Sequence, residues 1–132
     1  VIPVDKVKRI RGALGLAMSA GAVSVGVGLV IDAVRRAGKS DRRKKGSASR
    51  HVYVFCASDA SEATKKRVFD KCAYYEIPVY ELPITREELA HDIGKTGAVA
   101  AVAISNEGLA HKIIENLSYG DRNTAKQTHS KI

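Results

Sequence analysis

A chain of 132 residues with 22 Lys/Arg against 14 Asp/Glu, a net charge of +8, two Cys, no Trp and two Phe has material for one buried core. At that length one domain is expected, two cysteines make no disulfide framework, and the shortage of Trp and Phe argues against a base-stacking RNA module. The charge is uneven: residues 1–50 hold 12 Lys/Arg against 3 Asp/Glu, net +9, whereas residues 51–117 hold 7 against 10, net −3. A basic first third on an acidic scaffold is the footprint of a polyanion-binding face, because neutralising phosphates releases condensed counterions. The plainer alternative is a charged surface kept for solubility.

In chain order, Val4, Val7, Ile10 and Leu14 recur at helical spacing and predict an amphipathic first helix. Val23 to Val25 reads as a short strand, and Val27, Val30, Ile31 and Val34 as the stripe of a second helix. These elements divide a run of 19 uncharged residues, Ala13 to Ile31, that is flanked by basic residues as a membrane span would be. Gly15, Gly21, Gly26 and Gly28, with Ser19 and Ser24, dilute it below what insertion requires, so no membrane partner is expected. Gly38 to Arg50 is polar, basic and rich in Gly and Ser, which predicts a mobile loop.

From Val52 to Glu81 the pattern is strand, helix, strand. Val52, Val54 and Cys56 alternate with Tyr53 and Phe55 in an apolar run expected to be buried on both faces. Asp59 with Glu62 has the spacing of a capping box, Val68, Cys72 and Tyr75 form the inner stripe, and Pro78 closes the helix. Val79 to Leu82 then returns as a strand parallel to the first. Thr85 with Glu88 opens a short helix through Leu89 and Ile93 that Gly94 ends. Ala98 to Ile104 is the last buried strand, and Asn106 caps a final helix with Leu109, Ile113 and Leu117 inside. The tail from Ser118 to Ile132 is polar and aperiodic, which predicts disorder.

Catalytic and metal chemistry find little support. Cys56 and Cys72 lie on apolar runs without a CxxC pattern or paired histidines, and with no convincing export signal neither a disulfide nor a metal site is expected. His51, His91, His111 and His129 are scattered, none beside a Ser or Cys and an acid. Gly26-Val27-Gly28 imitates a dinucleotide-binding turn, but Ile31 occupies the third glycine position and no acidic residue closes a second strand about 20 residues on. No catalytic residue, cofactor or small-molecule substrate is expected.

Leu14-Gly15-Leu16-Ala17 followed by Ala20-Gly21, the Ala57-Ser58-Asp59-Ala60-Ser61 turn, Lys71-Cys72 with Tyr74-Tyr75, Ile93-Gly94-Lys95 and the Val99 to Ile104 strand stand in a telling order. Over roughly residues 5 to 117 the chain resembles the bacterial YlxQ-like branch of the kink-turn-binding ribosomal protein family, the L-seven-Ae group. The resemblance implies an α/β fold, a three-layer α/β/α sandwich with a mixed four-stranded sheet. It implies a single non-catalytic RNA-binding domain over 1–117, with a basic loop insertion at 38–50 and a disordered tail at 118–132, acting as a cytoplasmic monomer on structured RNA of the ribosomal or kink-turn kind.

In that family the N-terminus of the second helix carries Gly-x-Asn-Glu-Val-x-Lys and enters bent RNA at tandem sheared G·A pairs. Here the run is Gly26-Val27-Gly28-Leu29-Val30-Ile31-Asp32. Gly26 is kept, whereas Gly28, Leu29 and Asp32 replace Asn, Glu and Lys, removing side-chain hydrogen bonds to base edges and setting a carboxylate where a phosphate would sit. Leu29 lies off the apolar stripe, so it either packs on the first helix or stands exposed to a base or partner. The second RNA-facing loop, often Leu-Glu-Val, is Lys95-Thr96-Gly97, and Met18 and Ser19 replace basic residues common after the Leu-Gly-Leu-Ala segment. The expected RNA contacts are Gly26, Val27, Gly28, Leu29 and Asp32, then Lys95, Thr96 and Gly97, with Arg35, Arg36, Lys39, Arg42, Arg43, Lys44 and Lys45 holding phosphates. The alternative is a protein-interaction module on the same fold without specific RNA recognition.

Overall fold

The computed structural model describes residues 2–43 and 52–117, with side chains for 2–38 and 52–117; Lys44, Lys45 and the tail at 118–132 lie outside the described residues. The elements are α1 (Val4–Ser19), β1 (Val23–Val25), α2 (Val27–Arg43), β2 (Tyr53–Cys56), α3 (Glu62–Tyr75), β3 (Val79–Glu81), α4 (Arg86–Asp92), β4 (Ala101–Ile104) and α5 (Glu107–Leu117). The four strands form one mixed sheet in the order β1-β4-β2-β3. β2 and β3 are parallel, and β4 runs antiparallel to both β1 and β2.

Alternation along the strands sends residues into two cores. Phe55, Val102 and Ile104 pack with Ile10, Leu14, Leu89 and Ile113 of α1, α4 and α5. On the opposite face Val54, Cys56, Ala101 and Ala103 meet Val30 and Val34 of α2 and Val68 and Cys72 of α3. The small alanines of β4 leave room for the β-branched residues of α2 above them. Helices therefore cover both faces, and the expected three-layer α/β/α sandwich is the architecture found.

Local signals were partly transparent. Thr85 and Glu88 form a reciprocal capping box, with Glu88 N–H donating to Thr85 Oγ1 at 3.1 Å and Thr85 N–H to Glu88 Oε1 at 2.9 Å. Asn106 Oδ1 accepts from Leu109 N–H at 2.9 Å and caps α5. Asp59 does not cap α3: Ser61 does, accepting from Thr64 N–H at 3.1 Å, while Asp59 accepts from Arg86 N–H at 2.8 Å. α3 ends at Glu76, whose φ of 59° is left-handed, before Pro78 is reached. Val4 is 74% exposed, so the buried stripe of α1 begins later, at Ile10, and continues through Ala13, Leu14 and Ala17.

The largest departure is at the end of α2. The sequence predicts a loop from Gly38, yet the helix continues to Arg43. Gly38 is a packing residue there, because a Cβ on it would come within 2.6 Å of Tyr75 Cδ1 of α3. Its missing side chain lets the two helices close together, and Ala37 beside it extends the buried stripe of Val30 and Val34. Among the described residues no helix is long and apolar enough to cross a membrane.

Candidate nucleic-acid interface

Gly26 joins β1 to α2 in a single residue. Its N–H donates to Ala101 O at 3.0 Å, extending the sheet, and its carbonyl accepts from Val30 N–H at 2.9 Å, opening the helix. The turn holds φ at +97°, where a Cβ is strained. By helix geometry the next N–H groups, of Val27, Gly28 and Leu29, have no intrahelical acceptor and form the positive end of the helix dipole. No acidic residue lies in this first turn. A Cβ built on Gly26 or Gly28 would meet nothing within 4 Å, so a ligand can approach the backbone closely. Leu29 is 57% exposed, which resolves its two readings: it does not pack on α1.

The Lys95-Thr96-Gly97 loop reaches the same end of the sheet. Its base is bonded to α4, with Gly94 N–H donating to His91 O at 3.1 Å and Lys95 N–H to Ala90 O at 2.8 Å. Gly94 and Gly97 take positive φ, 75° and 84°, and all three loop residues are exposed. The chain then runs into β4, where Ala100 O accepts from Ala57 N–H at 2.8 Å and Ala101 O from Gly26 N–H. Gly97 is thus no more than about 14 Å of extended chain from Ala101, the residue bonded to the Gly26 turn. α4 is in turn fastened to α1: Arg11 Nε donates to Asp92 Oδ2 at 2.8 Å and Oδ1 at 3.1 Å, and its guanidinium lies 3.8 Å from Glu88. That hydrogen bond to Asp92 is the main reason the Arg11 pKa is raised.

The basic residues are placed differently from what the sequence suggests. Arg36 pairs with Asp32 at 2.9 Å and Arg35 lies 3.9 Å from the same carboxylate. Asp32, expected to repel phosphate, is engaged by arginines of its own helix. Arg35 and Arg36 lie about 13–15 Å along α2 from Gly26, and the backbone of Lys39, Arg42 and Arg43 lies farther still, about 20–25 Å away at the opposite helix end. The structure brings together Gly26 to Leu29 and Lys95 to Gly97, and it strings the basic residues along α2 away from them.

Sequence reasoning missed an exposed aromatic. Tyr74 of α3 is 72% exposed while Tyr75 beside it is half-buried. The signal was available, because Tyr74 sits one position off the Val68, Cys72, Tyr75 stripe and in register with Arg67 and Lys71 at i, i+4, i+7. Cys56 and Cys72 are buried thiols, as expected, with pKa values pushed up to about 11 and about 12, mainly by desolvation. Among the described residues no group of His, Cys, Asp or Glu is arranged to hold a metal ion.

The comparisons with known proteins bear on the family and the fold. The sequence model of the ribosomal protein L7Ae/L30e/S12e/Gadd45 family matches residues 8–114. The chain is 38% identical over 104 residues to the RNA-binding protein YlxQ of Bacillus subtilis (strain 168), covering 79% of this chain and 90% of that protein. It is 38% identical over 102 residues to RNA-binding protein YlxQ of Enterococcus faecium, covering 77% and 84%. Among solved structures, a Bacillus halodurans protein of unknown function superposes with a TM-score of 0.68 at 27% identity, over 83% of this chain and 97% of that one. The Giardia lamblia 15.5kD RNA binding protein shares the fold alone, with a TM-score of 0.55 at 13% identity over 97% and 91% of the two chains. With a family match spanning most of its length and both cores built from the matched residues, the chain belongs to the ribosomal protein L7Ae/L30e/S12e/Gadd45 family.

Proposed function

We propose that this chain is a non-catalytic RNA-binding protein that docks the Gly26 end of α2 and the Lys95-Thr96-Gly97 loop against a sharply bent, kink-turn-like RNA. The observation that carries the reading is the open start of α2: a glycine at φ +97°, backbone donors with no intrahelical acceptor, no acidic residue in the first turn and no protein atom crowding Gly26 or Gly28. An anion fits such a helix end, and phosphate is the anion a basic chain selects. The RNA-binding names of the two YlxQ relatives support RNA as the partner. With Gly28 and Leu29 in place of polar side chains, recognition rests on backbone donors and on RNA shape more than on base edges. Arg35 and Arg36, with Lys39, Arg42, Arg43, Lys44 and Lys45 beyond them, supply sequence-independent attraction, and the protein acts as a cytoplasmic monomer.

The test is binding to a kinked RNA with tandem sheared G·A pairs and to a straight duplex of equal length, across a salt series. Tighter binding to the kinked RNA that persists at moderate salt is expected. Equal, steeply salt-dependent binding to both would overturn shape recognition and leave a general RNA binder. The second reading, a protein-interaction module, is favoured by one observation, the exposed Leu29 at the helix start, and absence of binding to either RNA would put it first.

A further inference from the structure

The solvent side of the α2–α3 pair carries charge that the Gly26 end does not use. β1 and β2 both run antiparallel to β4, so they point the same way, and the helices that follow them on one face of the sheet run side by side in the same direction. Gly38 packed on Tyr75 fixes their relative level. Arg35, one turn before Gly38 on the same helix face, therefore lies on the α3 side of α2, level with Lys71, one turn before Tyr75. The orientation of α3 follows from Lys65, which bonds Ser58 O at 3.0 Å and pairs with Glu81 of β3 at 3.5 Å, so that flank faces the sheet edge. Arg67, Lys71 and Tyr74, at i, i+4 and i+7, occupy the opposite flank, toward α2, and all three are exposed.

We infer that the furrow between α2 and α3, lined by Arg35, Arg67, Lys71 and Tyr74, is a second RNA contact that holds an unpaired strand running on from the RNA bound at the Gly26 end. The inference rests on the proposed function for its partner, and the furrow's own chemistry selects the same one. Arg67 and Lys71 have no ion-pair partner among the described residues, and the nearest carboxylate on α3, Asp70, is taken by Lys66 at 3.1 Å. Arg67 and Lys71, with Arg35 beside them 3.9 Å from an Asp32 that Arg36 holds more closely at 2.9 Å, match a line of phosphates. Tyr74 supplies what a phosphate site lacks. Its ring forms a T-shaped pair with Tyr75, centroids 4.8 Å apart at 89°, and Tyr75 is itself wedged against Gly38. An aromatic ring so oriented, 72% exposed beside cations, is a stacking surface for an unpaired base and sacrifices little side-chain freedom on binding. α2 connects the furrow to the Gly26 turn without a break, so one strand can follow the helix from one site to the other.

The test compares the kinked RNA with the same RNA carrying about six unpaired nucleotides at either end, a length within the range of known single-strand sites. The extension on one side should tighten wild-type binding by about tenfold. Tyr74→Ala should abolish that gain, Tyr74→Phe should keep it, and neither should change affinity for the RNA without an extension. Arg67→Gln with Lys71→Gln should lower the salt slope for the extended RNA by about 1.4, two single-strand phosphate contacts at ~0.7 each. An extension that gives the wild-type protein no gain, or a gain that survives Tyr74→Ala, would overturn the furrow while leaving binding at the Gly26 end intact. If the kinked RNA is not bound at all, the reading of the Gly26 end fails, and the unpaired strand alone decides the furrow: Tyr74-dependent binding upholds it, and no binding or Tyr74-independent binding overturns it.

Discussion

Gly26 and Gly28 lie two residues apart at the same helix start, yet they are glycine for different reasons. Gly26 sits at φ +97°, so alanine there is strained although nothing lies within 4 Å of its Cβ. Gly26→Ala is expected to lower stability by about 1–3 kcal/mol, read from the denaturant midpoint. Gly28 does not take a positive φ and has open space around it, so alanine gains helix propensity. Gly28→Ala is expected to raise stability by up to about 1 kcal/mol and, by placing a methyl group in the path of the RNA, to weaken binding to the kinked RNA. Opposite signs in the two assays would mark an open position kept for a ligand; unchanged affinity would remove Gly28 from the interface. Asp32 holds Arg36 at 2.9 Å, and Asp32→Asn should free that guanidinium for phosphate and steepen the salt dependence of binding by up to about 1. Gly26 was legible from sequence, since a glycine between a strand and an apolar helical stripe has few other uses. The arginine partners of Asp32 were legible too, from their i+3 and i+4 spacing, but an expectation built on the family's lysine at that position concealed them.

At the scale of elements, the legible signals were those closed within a few residues. The Thr85–Glu88 box and the Asn106 cap involve partners three residues apart, and both form as read. Asp59 has the same local grammar, but its carboxylate is claimed by Arg86, 27 residues away, and Ser61 caps α3 in its place. The reach of α2 was hidden in the same way: Gly38 looks like a helix breaker until Tyr75 is known to lie against it. Gly38→Ala should therefore destabilise the protein even though alanine is the better helix former, because Tyr75 must move. The junction of α1 with α4 offers a further check. Asp92 is only 8% exposed and depends on Arg11 for its hydrogen bonds. Arg11→Met should cost about 1–3 kcal/mol in thermal or denaturant unfolding. By loosening the helix from which the Lys95 loop springs, it should also weaken kinked-RNA binding more than it weakens binding to a straight duplex.

At the scale of the whole molecule, the described residues form a sheet with a core on each face, and the thiols of the α2–α3 core give it a pH signature. Burial pushes Cys56 up to about 11 and Cys72 up to about 12 from 9.0. Below the unfolded value both states keep their protons and stability does not change on this account. Above it the unfolded chain releases protons that the folded chain retains, so stability falls as pH rises toward the folded values. The denaturant midpoint should be level through neutral pH and decline above about 9, and a Cys56→Ala, Cys72→Ala protein, whatever its absolute stability, should decline less steeply. The layer order was legible from the alternation of strands with helices, and the family resemblance supplied the sheet type. The spread of the basic residues along α2 was not, because charge counts carry no direction.

The strand order has a temporal consequence. β4 lies between β1 and β2, and Ala101 at its start bonds the Gly26 turn. While the chain is being synthesised, β1 emerges early but has no strand to pair with until Ala101–Ile104 follows, and Gly26 lacks its acceptor for the same interval. β2, α3 and β3 can assemble as a parallel unit in the meantime. The end of α2 proposed to meet RNA is therefore completed only when the last strand arrives, so a nascent chain still short of that strand cannot present the assembled binding surface to the transcripts around it.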